Sequence, residues 1–577
     1  MRKILINFLI FLSFCFSEER VKIAIYAGGG FRNLKEEEIK RILKAKEVEY
    51  ILTQEAVGTI DEKTKKLYEL FAKNGKKIIL DIWWGPCGDY NWDKYNFPDI
   101  AQDENLRKEF FEKVIDPVIL SIGEENLYGV HMLEETGSWY GYEKTVHPYY
   151  KMPDVNTPNI RKYNWLLKKE TGLDMDLSPI WNNEEKFAFW RWASKTISSS
   201  SAHKVFCEYI HKKYPKLKAF QFEGPPDIAR MECLTEYKVM LDYFDGIVTD
   251  NYSSPKNTYL LNAYRTMAPT KEIVALIAGY YATEGTDEQV KKIKEERFKY
   301  AYLAGMNGIG FFEPDGIRIK GQDFQEPKVW EQNLEIFKKY YNQPVYNKKR
   351  EILITSTNLS VGGYGIDNYL PYVNIENFSF IPAGEIRLIK NLEEYEVIII
   401  FGPNYPGKNP MWNDEYMNKK YNVDGIFDYK KLNNFVEKGG ILVISGVPLE
   451  KGSGLYITEN EIIIGTKTIN KNYALPNEWA KKNLKLKDSY KDLFTVTSFE
   501  FKVSDKAMDL GENTGYLVPY GKGYFLILPH RPSGRINVKN EERENYGNFL
   551  TDILNGLFNY TGKKELLKYI KRGGYYE

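Results

Sequence analysis

Between Val21 and Phe312 the chain alternates eight times between a short apolar run and a charged amphipathic stretch, and this rhythm limits the fold more than any other feature. The apolar runs read as strands at Lys22–Ala27, Glu49–Gln54, Lys77–Trp83, Leu127–Leu133, Lys218–Phe222, Gly246–Asp250, Ile273–Ala278 and Gly308–Phe312. Helical patterns lie between most of them, at Leu34–Ala45, Glu62–Asn74, Glu104–Leu120, Thr235–Phe244 and Asp287–Gly305. Strands joined through helices pair in parallel, so the class is α/β. Eight such units have the size of a (β/α)8 TIM barrel of about 250 residues enlarged by loop insertions. A doubly wound sheet shares the same alternation. The connection from Thr136 to Leu217 exceeds the usual loop of about 2–6 residues and carries its own helix, Glu184–Lys213, with the aromatic run Phe187–Trp192.

A chain of 577 residues outlasts one barrel. After a helix at Val329–Tyr341, Asn342–Lys349 reads as a linker into a second α/β unit. Its strands are expected at Glu351–Ser356, Val397–Phe401, Ile441–Ser445 and Tyr524–Leu528, with helices at Tyr429–Lys438 and Tyr546–Tyr560. The stretch between Glu450 and Tyr520 reads as small strands, Glu461–Ile464 and Thr495–Phe501 among them. At the other end, Met1-Arg2-Lys3 precedes an apolar run to Phe16, and Cys15 and Ser17 stand at −3 and −1 of a cleavage point, the pattern of a secretory signal. The run is shorter than the ~20 residues a membrane span requires. The expected organisation is a signal peptide at 1–17, a barrel at 18–345 and a second domain at 346–565. The mature protein is expected to be secreted, without a membrane span.

Charge and cysteine content narrow the partners. Lys plus Arg number 80 against 79 Asp plus Glu, a balance that makes nucleic acid an unlikely ligand. Cys87, Cys207 and Cys233 are left after signal cleavage, an odd count with no CxxC spacing, and the five histidines form no HExxH motif. No metal and no cofactor are expected.

The chemistry-bearing residues concentrate where a barrel carries its active site, at the C-terminal ends of the strands. The third strand ends Leu80-Asp-Ile-Trp-Trp-Gly85, the fourth Val130-His-Met-Leu-Glu-Glu135 and the fifth Phe220-Gln-Phe-Glu-Gly224. The sixth ends Val248-Thr-Asp-Asn-Tyr252 and the eighth Phe311-Phe-Glu-Pro-Asp315. Side chains alternate along a strand, and polar groups facing the outer helices would be costly. That argument places Asp81 with Trp83, His131 with Glu135, Gln221 with Glu223, and Phe311 with Glu313 on the inner face. Two carboxylates flanking a glycosidic bond supply the acid and the nucleophile or base of glycoside hydrolysis. Glu135 fits the acid/base, with Glu134 or Glu223 as a charged neighbour. Glu313 fits the partner, with Glu284 as competitor. Trp83, Trp84, Trp190 and Tyr252 offer flat faces for a sugar ring, and Asp81, Glu134, Glu223 and Asp250 offer hydrogen bonds to its hydroxyls. The bland alternative for each carboxylate is a helix cap or an ion pair.

These strand ends, taken together, resemble retaining glycoside hydrolases with an acid/base after strand four and a nucleophile late in the barrel. The family-42 β-galactosidases are the nearest resemblance. Glu134-Glu-Thr-Gly137 lies where that family has an Asn-Glu-Tyr-Gly-like segment. Asn164–Gly172, Trp181 and Phe189-Trp190 resemble its long strand-four insertion. The family also carries a second domain similar to class I glutamine amidotransferases, which implies a flavodoxin-like α/β unit here. The chain departs from the pattern at Glu134, where the family has Asn, and at the seventh strand, which ends without a carboxylate. Ile441–Pro448, where an amidotransferase nucleophile would stand, holds Ser445 and no Cys. With His530 after a late strand, Ser445 offers a hydrolase of another kind, but it lacks a G-x-S-x-G elbow, and the domain reads as non-catalytic. The resemblance implies a homo-oligomer and an oligosaccharide or polysaccharide substrate. The competing function is a carbohydrate-binding or assembly protein on a degenerate barrel.

Overall fold

The computed structural model describes residues 19–27, 30–56, 58, 60–83, 95, 97–132, 169, 199–224, 237–251, 256–278, 287–312, 327–356, 374–381, 386, 388–401, 429–445, 455–458, 461–469, 471–493, 498–502, 505–530 and 540–570. Eight parallel strands close into a barrel in sequential order: β1 Lys22–Ala27, β2 Val48–Ala56, β3 Lys77–Trp83, β4 Gly129–Met132, β5 Lys218–Glu223, β6 Gly246–Asn251, β7 Glu272–Ala278 and β8 Gly308–Phe312. The alternation of the sequence therefore resolves as a barrel, because β1 also pairs with β8, which an open doubly wound sheet would leave apart.

Two apolar clusters show which parity faces where. Ala24, Tyr26, Tyr50, Leu52, Ile79, Phe220, Phe222, Val248, Val274 and Leu276 fill the barrel interior. Ile23, Ile25, Ile51, Leu80, Val130, Ala219, Ile247, Ile273 and Ile309 belong to the layer between strands and helices. Phe220 lies across the interior, and its ring needs glycine on both flanking strands. A Cβ on Gly129 would come within 2.6 Å of that ring and one on Gly246 within 2.4 Å. Burying such a ring stabilises the fold by about 3 kcal/mol or less from surface removal alone. Outside, Phe311 packs on Phe298 and Phe337 at ring-centroid distances of 5.7 and 5.8 Å. Phe311 thus faces the helices, which corrects the inward placement expected for it.

Beyond the barrel a mixed seven-stranded sheet follows. Its parallel part comprises β9 Ile352–Ser356, β10 Ser379–Ile381, β11 Val397–Phe401, β12 Ile441–Ser445 and the strand Gly523–Leu528, ordered β10-β9-β11-β12 and then Gly523–Leu528. Tyr516–Tyr520 and Met508–Asp509 extend it in antiparallel sense. A three-stranded antiparallel sheet of Leu455–Thr458, Glu461–Ile469 and Ser498–Lys502 accompanies it. The edge strand β10 meets the barrel through named contacts. The Phe380 N–H donates to Asn262 Oδ1 at 2.6 Å, and Tyr259 Oη donates to the Phe378 carbonyl at 2.8 Å. Arg350 ties the two units further, donating to Tyr259 Oη at 3.1 Å and to the Leu303 carbonyl at 2.8 Å.

Candidate active site

The register of β2, β3 and β4 sets Gln54 beside Asp81 and Asp81 beside His131. All three occupy interior positions at the C-terminal end of the barrel, two residues above Leu52 and Ile79 of the inner cluster. Gln54 Nε2 donates to Asp81 Oδ2 at 2.9 Å, and His131 Nδ1 lies 3.2 Å from Asp81 Oδ1. The Asp81 and His131 side chains are 2% and 3% exposed, so the pair is sealed from bulk water. The His131 ring also meets Phe222 edge-on at 5.3 Å. Burial, with the nearby His203 adding to it, pushes the His131 imidazole down to about 3, so it is neutral at ordinary pH. The Gln54 amide orients one carboxylate oxygen of Asp81, and the neutral His131 ring stands beside the other without hydrogen-bond geometry between them.

The strands around this row are pinned individually. His203, on the helix Ser199–Lys213, bonds through Nε2 to the Met132 carbonyl at 3.0 Å and so holds the last residue of β4. At the end of β5, Thr249 Oγ1 and Tyr264 Oη both donate to the Gly224 carbonyl, at 3.1 and 2.7 Å. Glu55 at the end of β2 faces the helices and accepts from the Phe31 N–H at 3.3 Å and Tyr68 Oη at 3.1 Å. Burial raises its carboxyl above the usual range against those two donors.

Several expected site residues can now be placed. Asp81, His131 and Asp250 occupy interior positions, and Asp250 is fully buried. Trp83 is the last residue of β3. Gln221 and Glu223 are corrected: they share the outward parity of Ala219, because Phe220 and Phe222 take the interior. Gln221 Nε2 donates to Glu223 Oε1 at 2.8 Å, which offsets part of the cost of burying them. Glu134, Glu135, Trp84, Trp190, Tyr252, Glu284 and Glu313 lie outside the described residues. Gln54, His203 and Glu55 were not anticipated. Gln54 was legible by its alternation with the inward Tyr50 and Leu52 of β2, whereas His203 needed the tertiary contact to be seen.

Ser445 closes β12 with its side chain buried. Its Oγ donates to the main-chain carbonyl of His530 at 2.7 Å and shares a hydrogen bond with Tyr546 Oη. The His530 ring instead bonds through Nε2 to the Asn513 carbonyl at 2.7 Å, and burial pushes it down to about 4. The two residues are neighbours, but the hydroxyl meets the backbone of His530 and the ring is engaged elsewhere. This is the arrangement of a structural serine, not of a nucleophile and its base. Among the described residues no group of three or more His, Cys, Asp or Glu could hold a metal ion, and no helix is long and apolar enough to cross a membrane.

No family model matches the chain, and no curated protein sequence matches it. Among solved structures, the chain is similar to the exo-β-1,4-mannosidase Op5Man5 from Opitutaceae bacterium strain TAV5. That likeness covers 96% of this chain and 97% of the other at 10% identity, with a TM-score of 0.54. A GH5_18 structure from Streptomyces cattleya in complex with Manβ1-4GlcNAc covers 63% of this chain and 92% of its own, at 8% identity and a TM-score of 0.41. The likeness to the mannosidase is one of fold, and it extends past the barrel into the second sheet.

Proposed function

We propose that this protein is an exported glycoside hydrolase, which removes a β-linked sugar from an oligosaccharide or polysaccharide at the C-terminal end of the barrel. The observation that carries the reading is the Gln54–Asp81–His131 row on the interior of β2, β3 and β4, in which Asp81 and His131 are buried. A barrel end built for stability alone is filled with apolar side chains, and a sealed polar row is the floor that a hydroxyl-rich ligand requires. Glu135, four residues after His131 in the sequence, is the general acid/base of this reading. Glu313 is the second carboxylate and Glu284 its competitor. Trp83, Trp84, Trp190 and Tyr252 supply ring-stacking faces; Asp81, Glu134 and Asp250 contact hydroxyls. A family-42-like reading and the fold shared with an exo-β-1,4-mannosidase suggest galactosides and mannosides as the first substrates to try.

The same reading assigns residues 1–17 to a secretory signal, 18–345 to the catalytic barrel and 346–565 to a flavodoxin-like, amidotransferase-like domain. The parallel order of that domain, with its first chain strand second from the edge, is 2-1-3-4-5, the flavodoxin order. It is non-catalytic and builds the rim of the site or the contacts of a homo-oligomer. Glu135→Gln is expected to lower turnover of the best aryl β-glycoside by about 10²–10⁴-fold while leaving the unfolding midpoint in place. Full turnover by that variant would overturn the assignment.

A second reading is favoured by β7, whose interior positions Val274 and Leu276 are buried and apolar and whose last residue is Ala278. On that reading the barrel binds carbohydrate without cleaving it. Glycan binding that survives Glu135→Gln, with no hydrolysis anywhere in the aryl glycoside panel, would establish it.

A further inference from the structure

At the N-terminal end of the barrel, opposite the proposed site, the first turns of the strands bring three lysines, two tyrosines and one glutamate together. Glu272, at the start of β7, is the acceptor. Tyr50 Oη donates to its Oε1; Tyr128 Oη and Lys218 Nζ both reach its Oε2 at 2.7 Å. Lys22 Nζ stands 3.9 Å from Oε1 and donates to Tyr50 Oη at 3.1 Å. These donors outweigh burial and hold the Glu272 carboxyl below its usual range, so its negative charge is already committed.

Lys77 is the remainder. Its ammonium lies 4.7 Å from the Tyr128 ring centroid and 5.5 Å from that of Tyr50, held by the ring faces. Among the described residues no carboxylate or carbonyl oxygen hydrogen-bonds it. Its neighbour is another cation: Lys22 and Lys77 both stand by the Tyr50 ring, with their ammoniums 5.4 and 5.5 Å from its centroid. Two ammoniums side by side repel unless an anion lies between them. The cluster is open to small solutes, since the Lys22 and Lys218 side chains are 21% and 40% exposed.

We propose that this end of the barrel binds a small tetrahedral oxyanion, phosphate or sulfate, bridged between the ammoniums of Lys22 and Lys77. The anion supplies acceptors to Lys77, which Glu272, already accepting from Tyr50, Tyr128 and Lys218, does not hydrogen-bond, and Lys218 adds a third positive charge to the field that holds it. The site is independent of the glycosidase reading, because it lies at the opposite end of the barrel and involves none of the proposed catalytic residues.

Thermal unfolding of the whole protein in inorganic phosphate, against potassium chloride at matched ionic strength, tests this. A saturable rise in the midpoint is expected for the wild type. Lys77→Met, which keeps the apolar stem over the rings, should raise the half-saturating phosphate concentration by about tenfold or more, the effect of one lost charge-assisted hydrogen bond. A parallel sulfate series separates tetrahedral shape from a need for phosphate itself: equal response means shape, response to phosphate alone means a narrower ligand, and either supports the site. A wild-type midpoint indifferent to both anions would overturn it, as would an unchanged half-saturating concentration in Lys77→Met. Should that variant not fold, calorimetric titration of phosphate into the wild type decides, and absence of saturable heat refutes the site.

Discussion

At the C-terminal end of the barrel, the polar row is closed to bulk water at Asp81 and His131. Asp81 takes a hydrogen bond from Gln54 and faces a neutral imidazole, and neither Asp81 nor His131 exposes more than 3% of its side chain. At the N-terminal end, polarity is balanced by excess charge open to solvent, with three ammoniums around one carboxylate. Between them lies an apolar plug of Phe220, Phe222, Ile79, Val248, Val274 and Leu276. One wall of eight strands thus carries an acidic floor at one end and a basic cluster at the other. The comparison teaches that strand alternation decides which residues face inward, while access to water decides whether those residues are charged or neutral.

The plug is what keeps the two ends independent, so breaking it has the largest effect. Phe220→Ala removes a fully buried ring that flanking glycines cannot replace, and a cost of about 3–5 kcal/mol is expected by denaturant titration. A loss under about 1 kcal/mol would mean that the plug collapses easily and does not separate the ends. Glu272→Gln comes next. It removes the only carboxylate hydrogen-bonded to Lys218, Tyr50 and Tyr128 in that cluster, and since Lys218 is 40% exposed the usual cost of a broken buried pair shrinks to about 2–3 kcal/mol. Asp81→Asn, which keeps the shape and an acceptor, should cost less, about 1–2 kcal/mol. The reverse order in the same titration would show that the sealed end, not the open one, depends on charge.

The amino-acid pattern specified the barrel strands well and their facing less well. β1, β3 and β8 coincide with the expected residues, because each is an apolar run bounded by a change in polarity. The inward set on β5 was misplaced because the rule that polar residues avoid the helix layer overlooks polar side chains that bond each other there, as Gln221 does with Glu223. Phe311 was misplaced for a related reason: an aromatic close to a carboxylate in sequence says nothing of which face it takes. In the second sheet, β10 has three residues and Met508–Asp509 two, too short to leave a periodic signal. The basic cluster went unseen because its members open strands far apart in the chain, and chemistry was sought at the other ends. Asp81 and His131 were legible singly, but their pairing with Gln54 depends on register, which no single segment contains.

Acid should distinguish the sealed polar groups of the two units. His131 in the barrel and His530 beside the second sheet are held to about 3 and about 4 from an ordinary 6.5. In this window the unfolded chain binds more protons than the native one, so stability rises with pH and is lost as pH falls below about 6.5. Each histidine contributes a slope of about 1.4 kcal/mol per pH unit, ending near pH 3 for His131 and pH 4 for His530. His131→Gln should flatten the pH dependence of the barrel transition, and His530→Gln that of the second unit, where the two transitions separate in calorimetry. An unchanged slope in His131→Gln would place its imidazole in contact with water and undo the contrast between the ends.

An effect as small as that of Asp81→Asn bears on the contrast between the barrel and the second sheet as sites of chemistry. Ser445 Oγ meets the His530 carbonyl and Tyr546 Oη, so Ser445→Ala leaves two buried partners one hydrogen bond short and should cost about 1–2 kcal/mol. If the hydroxyl is structural, that loss appears in the unfolding of the second unit, and turnover of any glycoside or ester by the folded protein is unaffected. If it is a nucleophile, turnover vanishes while stability changes little, since a catalytic hydroxyl contributes to the transition state and not to the fold. Stability and turnover therefore move in opposite combinations under the two roles. One variant measured both ways decides whether the second sheet carries chemistry of its own or only supports the barrel beside it.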